Sequence, residues 1–313
     1  MSLFSSLLAT ATAPRQSTGA RLLDRLENST QLEDRREALS EFNELTAAEP
    51  VRLIDKGGIS VLVALLRAED TQLTRDSLET LSNLMDPEIP RGVAPEKGEE
   101  KAVHNASIFL GNDSYLLDVL NGSEDGDLYV RFHAVQLVMK LLARARRQTQ
   151  AAMLNQPATV GRVLSLAEDR REIVRNEVLL LLAKLGVGSS GLQNIMAFQG
   201  AFDQLLGIIE SEGSEEGGLG SVIVHDCLRI ACTLLESPAS CRFFRESGCL
   251  QRMMALLALP PHHNKGHATS ATLACELLAC LLVESTVSKD GGGEGDEEGD
   301  PLDPKDADGQ KIT

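Results

Sequence analysis

The sequence has few aromatic residues and no long hydrophobic run. Of its 313 residues only 3% are aromatic, with no Trp and two Tyr. Leu and Ala fill most apolar positions, as in helical proteins, whereas strands favour β-branched and aromatic residues. No window approaches the ~20 apolar residues of a membrane-spanning helix. These absences predict a nearly all-α protein and argue against a transmembrane segment in this sequence.

Basic residues are also scarce, 30 against 46 acidic ones. The net charge at pH 7 is −16, of which −7 falls on residues 290–313 and −9 on the preceding residues. Such a field repels phosphate backbones and anionic lipid, so we expect no nucleic-acid partner. Partners with basic surfaces remain compatible with this charge.

The cysteines lack both a CxxC pair and the spacing of a disulfide framework. Most of them lie in apolar helical stretches, which predicts reduced, buried thiols in a cytosolic setting and no disulfides. The six are Cys227, Cys232, Cys241, Cys249, Cys275 and Cys280.

Both ends differ in composition from the middle of the chain. Residues 1–19 are acid-free and Ser-rich, which fits either a transit peptide or a flexible lead-in to a helix starting near Ala20. The lead-in is favoured, because Ser and Thr interrupt the apolar stretch. Residues 285–313 are rich in Gly, Asp and Glu, cannot bury apolar surface, and are predicted to be disordered. Residues 20–284 are predicted to form one helical array.

The middle of the chain repeats one phrase every 40 to 50 residues. The clearest copies are KGGISVLVALL (56–66), QGAFDQLLGII (199–209) and ESGCLQRMMALL (246–257), with looser copies at 107–120 and 153–166. Each combines helical apolar spacing with a small residue at a turn, which is the signature of an α-solenoid. We therefore predict an armadillo-like α-solenoid, a right-handed superhelix of three-helix repeats, with five units over about residues 30–260.

The first unit shows the predicted pattern. A helix begins at Asp34, a short helix crosses VRLIDKG (51–57), and a third helix follows as ISVLVALL (59–66). Gly200 and Gly248 align with Gly57, where a left-handed turn suits glycine. The polar stretches 86–100 and 210–221 are predicted to be exposed loops.

A second register marks the end of the helix after each turn. Asn83, Lys140, Lys184 and Thr233 correspond there. In peptide-binding armadillo proteins this position is usually an Asn that lines the groove, and here only Asn83 keeps it. We therefore do not expect the chain to grip an extended peptide by its backbone.

Searches for catalytic and metal sites give little. His262, His263 and His267 lack a Cys or carboxylate partner at supporting spacing, so a surface loop is favoured over a metal site. His225 and Cys227 lie two residues apart on a predicted helix and point to different faces. The sequence predicts no catalytic residue, no cofactor and no metal.

Several long stretches resemble one family. They are LEDRREAL (32–39), LYVRFHAVQLVMKLL (128–142), SLAEDRREIVRNEVLLLLAKL (165–185), LQNIMAFQGAFDQLLGIIESEGSEEGG (192–218), VIVHDCLRIACTLL (222–235) and CRFFRESGCLQRM (241–253). In this order they resemble the armadillo-like globular head of the general vesicular transport factors, golgin-type vesicle-tethering proteins. The resemblance covers about residues 20–257.

The resemblance implies a non-enzymatic tether on the cytosolic face of Golgi and transport-vesicle membranes. It further implies binding to a Rab-type small GTPase, golgins and SNAREs, and a homodimer in a full-length form with a coiled coil. No heptad run occurs here. We therefore expect a fragment, an isoform or a truncated gene model. The alternative function is a generic cytosolic armadillo adaptor with unrelated partners.

Four residues are candidates for partner binding. Arg131 and Arg175 each follow a Val near the start of corresponding helices, and Asn176 and Asp226 lie in matching motifs. An Arg at a helix start commonly bonds a neighbouring carbonyl or carboxylate, so intramolecular pairing is favoured over partner contact for the two arginines.

Overall fold

A computed structural model describes residues 17–53, 56–68, 70–121, 127–213, 221–257, 270–279 and 281. All regular structure in these residues is helical. The helices are α1 (Thr18–Asn28), α2 (Leu32–Ala48), α3 (Lys56–Leu65), α4 (Thr71–Met85), α5 (Pro95–Phe109), α6 (Ser114–Asn121), α7 (Leu128–Arg144), α8 (Arg146–Asn155), α9 (Ala158–Leu166), α10 (Glu172–Leu185), α11 (Ser190–Phe198), α12 (Ala201–Gly213), α13 (Val222–Leu234), α14 (Pro238–Glu246) and α15 (Cys249–Leu257). Residues 270–279 are also helical. Among these helices, none combines the length and apolar character needed to cross a membrane.

The helices stack as repeated units of three. Helices α5 to α7, α8 to α10, and α11 to α13 form successive units. The last helices of successive units, which we call third helices, pack side by side in the order α2, α4, α7, α10 and α13. The helix of residues 270–279 continues this row, since Cys232 of α13 contacts the carbonyl of Leu273. The predicted three-helix repeat is confirmed.

One apolar core runs through the whole array. It extends from Leu22 in α1 to Leu281, and Leu and Val supply most of its members. The predicted start of the first helix is confirmed, because α1 begins at Thr18 and the Ser17 hydroxyl accepts from the Ala20 amide at 3.2 Å. Residues 1–16 and 282–313, including most of the predicted lead-in and the whole predicted tail, lie outside the described residues.

The first unit differs from its prediction in two places. Helix α2 begins at Leu32, two residues before Asp34. The short helix expected from residue 51 is wrong for residues 51–53, which are not helical. The buried Asn105 side chain of α5 accepts from the Leu53 amide at 3.0 Å and donates to the Val51 carbonyl at 3.0 Å. These bonds satisfy the backbone without a helical turn.

Buried polar side chains on the first helices of the units cap the third helices. The last carbonyls of an α-helix lack partners within the helix and need them elsewhere. The side-chain amides donate as follows: Asn105 to the Leu84 carbonyl at 3.0 Å, Gln150 to the Leu185 carbonyl at 2.9 Å, and Gln193 to the Gly186 carbonyl at 2.9 Å. Asn105 and Gln193 thus join their units to the preceding third helix, and Gln150 caps the third helix of its own unit.

The stretch 86–100 is not the exposed loop that its polarity predicts. Helix α5 begins at Pro95, so only residues 86–94 connect α4 to α5. Lys101 is 1% exposed, and its ammonium donates to the carbonyls of Asn83, Asp86 and Ile89 at 2.7 to 2.8 Å. The connection is therefore tied down onto α5. In the stretch 210–221, residues 210–213 belong to α12, and residues 214–220 lie outside the described part of the chain.

Glycine occupies two of the turns as predicted. Gly200 has φ +93° between α11 and α12, and Gly248 has φ +86° between α14 and α15. The equivalent Gly57 instead lies inside α3, so no left-handed turn occurs there. Its neighbour Gly58 allows close packing, since a Cβ at this position would lie 2.9 Å from the Leu23 side chain.

Gly200→Ala and Gly207→Ala should change stability in opposite directions. Gly200→Ala places a Cβ at positive φ and should lower the free energy of unfolding by about 1–2 kcal/mol. Gly207→Ala lies inside α12, where a Cβ meets nothing within 4 Å. It should raise stability by up to about 1 kcal/mol through helix propensity. Urea unfolding of both variants measures the two signs, and destabilisation by Gly207→Ala would contradict the prediction.

Candidate functional site

The third helices form a continuous surface on which the predicted groove positions lie. The side-chain amide of Asn83 on α4 donates to the Asn43 side chain on α2 at 2.8 Å. The Lys140 ammonium on α7 lies 3.2 Å from the Asp86 carboxylate. Both side chains are thus engaged within the solenoid. The expectation that this surface does not grip a peptide by its backbone stays a prediction.

An open groove lies between α10, α13 and the helix of residues 270–279. Its volume is about 510 Å³, and its lining includes the cations Lys184 and Arg229 and the acids Asp226 and Glu276. Leu180 lies beside them with 44% of its surface exposed. Asp226 therefore lines a groove of mixed charge that also offers an apolar contact.

Arg131 lies at a different place and pairs within the chain. Its Nε atom is 2.5 Å from Oδ2 of Asp169, and the two side chains are 21% and 8% exposed. Arg131 therefore makes an intramolecular ion pair of the kind that the sequence favoured, and its role in partner binding stays a prediction. Arg175 donates to the Asp169 carbonyl at 3.3 Å, so both arginines fix the segment that leads into α10.

The pairing of Arg131 is one of a series along the third helices. In each case an Arg near the start of a third helix meets the Asp that precedes the next third helix. The pairs are Arg36 with Asp70, Arg75 with Asp127, and Arg131 with Asp169. The hydrogen bond from Arg36 holds the pKa of Asp70 below its usual value. These ion pairs join successive units.

The four candidate residues do not converge on one site. Asn176 follows Arg175 on α10, and its half-buried side chain leaves Oδ1 without a hydrogen-bond partner in the described residues. Arg131 and Asp226 line separate grooves. A role of these four residues in partner binding therefore involves more than one surface.

Burial decides the reactivity of the Cys227 thiol. Cys227 is fully buried in α13, and burial raises the pKa of its thiol to about 12. The thiol is protonated at neutral pH and unsuited to act as a nucleophile. His225 Nε2 has no hydrogen-bond partner among the described residues, so this nitrogen does not bond the thiol. Core packing at Cys227 is confirmed.

The other described cysteines form no metal site. Cys232, Cys241, Cys249 and Cys275 are free thiols, as is Cys227. Over the ranges that the structure describes, no three His, Cys, Asp or Glu side chains are grouped to hold a metal ion. The sequence candidates His262, His263 and His267 lie outside those ranges.

The sequence analysis missed a basic groove. Arg131, Arg162, Arg170 and Arg171 line it at the edge where α9 ends and α10 begins. The pair Arg170–Arg171 could have indicated this groove. It directly precedes the third helix α10, whereas the third helices α4 and α7 are each preceded by an Asp cap. We call the groove lined by these four residues the arginine groove.

The fold and one sequence match define the class of the protein. Residues 50–86, which include α3 and α4, match the family model for the armadillo/beta-catenin-like repeat. The crystal structure of Uso1-1 superimposes with a TM-score of 0.68 over 85% of this chain and 44% of that chain, at 22% identity. The protein is an all-α armadillo-repeat solenoid.

Two relatives identify the family within this class. Golgin candidate 6 of Arabidopsis thaliana is 33% identical over 212 residues, covering 66% of this chain and 23% of that protein. General vesicular transport factor p115 of Homo sapiens is 31% identical over 242 residues, covering 74% of this chain and 24% of that protein. The chain belongs to the family of general vesicular transport factors. It spans about a quarter of the length of these two relatives.

Proposed function

We propose that the chain is the non-enzymatic head of a vesicle-tethering factor. It scaffolds the docking of transport vesicles at Golgi membranes in ER-to-Golgi and intra-Golgi traffic. The observation that carries the proposal is the match to vesicular transport factors over 212 and 242 residues, far beyond one repeat. A generic armadillo adaptor has no specific observation in its favour and serves as the contrasting outcome.

The architecture suits a scaffold. Each unit of a solenoid contacts only its neighbours, so the array presents partner sites at fixed separations along one dimension. The ion pairs between successive third helices stiffen that spacing. Binding, with no cofactor and no chemical turnover, is the proposed mechanism.

The proposed partners are a Rab-type small GTPase, golgins and SNAREs. The protein would act in the cytoplasm, peripherally on the cytosolic face of Golgi and vesicle membranes. Arg131, Arg175, Asn176 and Asp226 are proposed to contribute to partner binding, with Asp226 acting in the groove beside α13. Homodimerisation is proposed only for a longer form that contains a coiled coil.

Affinity capture tests the proposal. The immobilised full chain is incubated with Golgi-enriched extract in the presence of a GTP analogue or GDP, and retained proteins are identified by mass spectrometry. We expect several-fold more Rab-type GTPase with the GTP analogue, together with golgins or SNAREs. A Leu205→Asp variant, in which the solenoid should be unfolded, controls for non-specific capture.

One result of the affinity capture would contradict the proposal. If the chain is folded by circular dichroism and recovers no Rab, golgin or SNARE with either nucleotide, the tethering proposal is wrong. An unrelated set of captured proteins would then favour the generic adaptor.

A further inference from the structure

The arginine groove concentrates positive charge in an acidic protein. The groove has a volume of about 470 Å³, and its acidic lining residues are Glu168 and Asp169. Four arginines against two acids give this surface a net positive charge, although the chain as a whole carries −16. Such a local reversal of sign focuses the field and attracts anions.

The carboxylate of Asp169, one of the two acids in the groove, is already bonded within the chain. Asp169 receives Arg131 Nε on Oδ2 at 2.5 Å and the backbone amide of Arg171 on Oδ1 at 2.8 Å. Arg162 donates to the Asn121 side chain at 2.9 Å. The side chains of Arg170 and Arg171 are exposed, and nothing in the described residues bonds them. Two guanidinium groups are thus available to a ligand.

The N-terminus of α10 adds to the positive potential of the groove. Helices α4, α7 and α13 begin with cap side chains of Asp70, Asp127 and Ser221, which accept from backbone amides. The cap residue of α10 is Arg171, whose side chain makes no such bond. A cation at a helix N-terminus opposes the helix dipole, and an anion there is favourable. Glu172 in the first turn of α10 supplies one such negative charge, and a bound carboxylate would add a second.

The arginine groove has an apolar floor, and exposed apolar side chains lie on the first turns of α10 and α7. Ile173 on the first turn of α10 is 55% exposed, and Tyr129 on the first turn of the neighbouring α7 is 54% exposed. The Arg75 guanidinium lies 4.7 Å from the Tyr129 ring centroid, which holds the ring at the surface. Inside the groove, Leu120 and Leu166 form a buried apolar floor. The surface therefore combines cations with apolar contacts.

We propose that the arginine groove is a docking site for an acidic linear segment of a partner protein. Carboxylates of the segment pair with Arg170 and Arg171, and an apolar side chain packs on the groove floor at Leu120 and Leu166. Such arginine–carboxylate pairs are charge-assisted and can be bidentate. The inference does not depend on the proposed tethering function, because it rests on the charge and geometry of the groove alone.

The surroundings favour a peptide over an anionic membrane. A bilayer would meet the field of the whole chain, which is strongly negative. A linear segment meets only the groove, and it can place its carboxylates beside Arg170 and Arg171 while keeping them away from Glu168. Phosphate groups on a lipid surface are therefore the disfavoured occupants.

The test uses fluorescence anisotropy with a labelled poly-glutamate peptide that contains one leucine. The full chain is expected to bind it with an affinity that falls as salt increases. The double variant Arg170→Ala, Arg171→Ala should bind about tenfold more weakly, a loss expected for two exposed charge-assisted pairs. Arg91→Ala, Arg147→Ala is the matched control, because it removes the same charge from exposed positions outside the groove. It should change affinity less than about twofold.

Four outcomes would overturn the proposal. Equal losses in the two double variants would mean non-specific attraction, and failure to bind by both the wild type and a variant with the acids of residues 290–300 replaced would mean no site. Stronger groove-dependent binding to vesicles containing anionic phospholipid than to the peptide would assign the groove to lipid. If the peptide binds only after the acids of residues 290–300 are replaced by Asn and Gln, the occupant is the chain's own acidic segment.

Discussion

Leu205→Asp should unfold the solenoid. Leu205 lies on α12, is 2% exposed, and belongs to the core that runs through all described units. An aspartate there places an unpaired carboxylate between packed helices, at a cost of at least about 4 kcal/mol. That is a large part of the total stability of a typical protein. Thermal unfolding followed by circular dichroism should show a midpoint lowered by about 10 °C or more, or no cooperative transition.

The same chemical change at an exposed position provides the control. Leu180 on α10 is 44% exposed, so Leu180→Asp leaves the new carboxylate in water. Its effect should remain within about 1 kcal/mol. Similar melting curves for the two variants would mean that the units are not joined by a shared core at α12. The comparison therefore tests the packing and not only helix propensity.

Local sequence signals predicted the row of third helices well. The ends of α4, α7, α10 and α13 fall where the second register of the sequence placed them. The positive φ of Gly200 was also predictable, because a small residue recurs at that turn. Both features depend on residues close together in the chain, where apolar spacing and turn chemistry carry the information.

Features that depend on distant residues were not predictable. The segment 51–53 is non-helical because Asn105, 52 residues beyond Leu53, satisfies its backbone. The stretch containing Lys101 is rich in Glu and Lys and looks solvated, yet this ammonium is buried under the connection between α4 and α5. The arginine groove likewise brings Arg131 to Asp169, 38 residues away. Side-chain caps and ion pairs between units leave no local pattern in the sequence.

Lys101→Met should destabilise the protein by about 2–4 kcal/mol at neutral pH. The methionine fills a similar volume but donates no hydrogen bond. The carbonyls of Asn83, Asp86 and Ile89 then lose their shared donor while the connection between α4 and α5 stays packed on the helix. Urea unfolding measures the loss. The control is Lys140→Met, since Lys140 is half-buried and only 3.2 Å from the same Asp86. It should cost at most about 1 kcal/mol.

The stability difference between wild type and Lys101→Met should also depend on pH. Burial lowers the pKa of Lys101 from its ordinary 10.5 to about 8. Between these values the unfolded chain keeps a proton that the folded chain has lost, so the stability of the wild type rises with pH. The methionine variant lacks this group. The advantage of the wild type should therefore be constant below pH 8 and increase from pH 8 towards pH 10.5, in urea unfolding at matched ionic strength. A constant advantage up to pH 10.5 that decreases above it would mean that the three carbonyls stabilise the ammonium more than burial destabilises it.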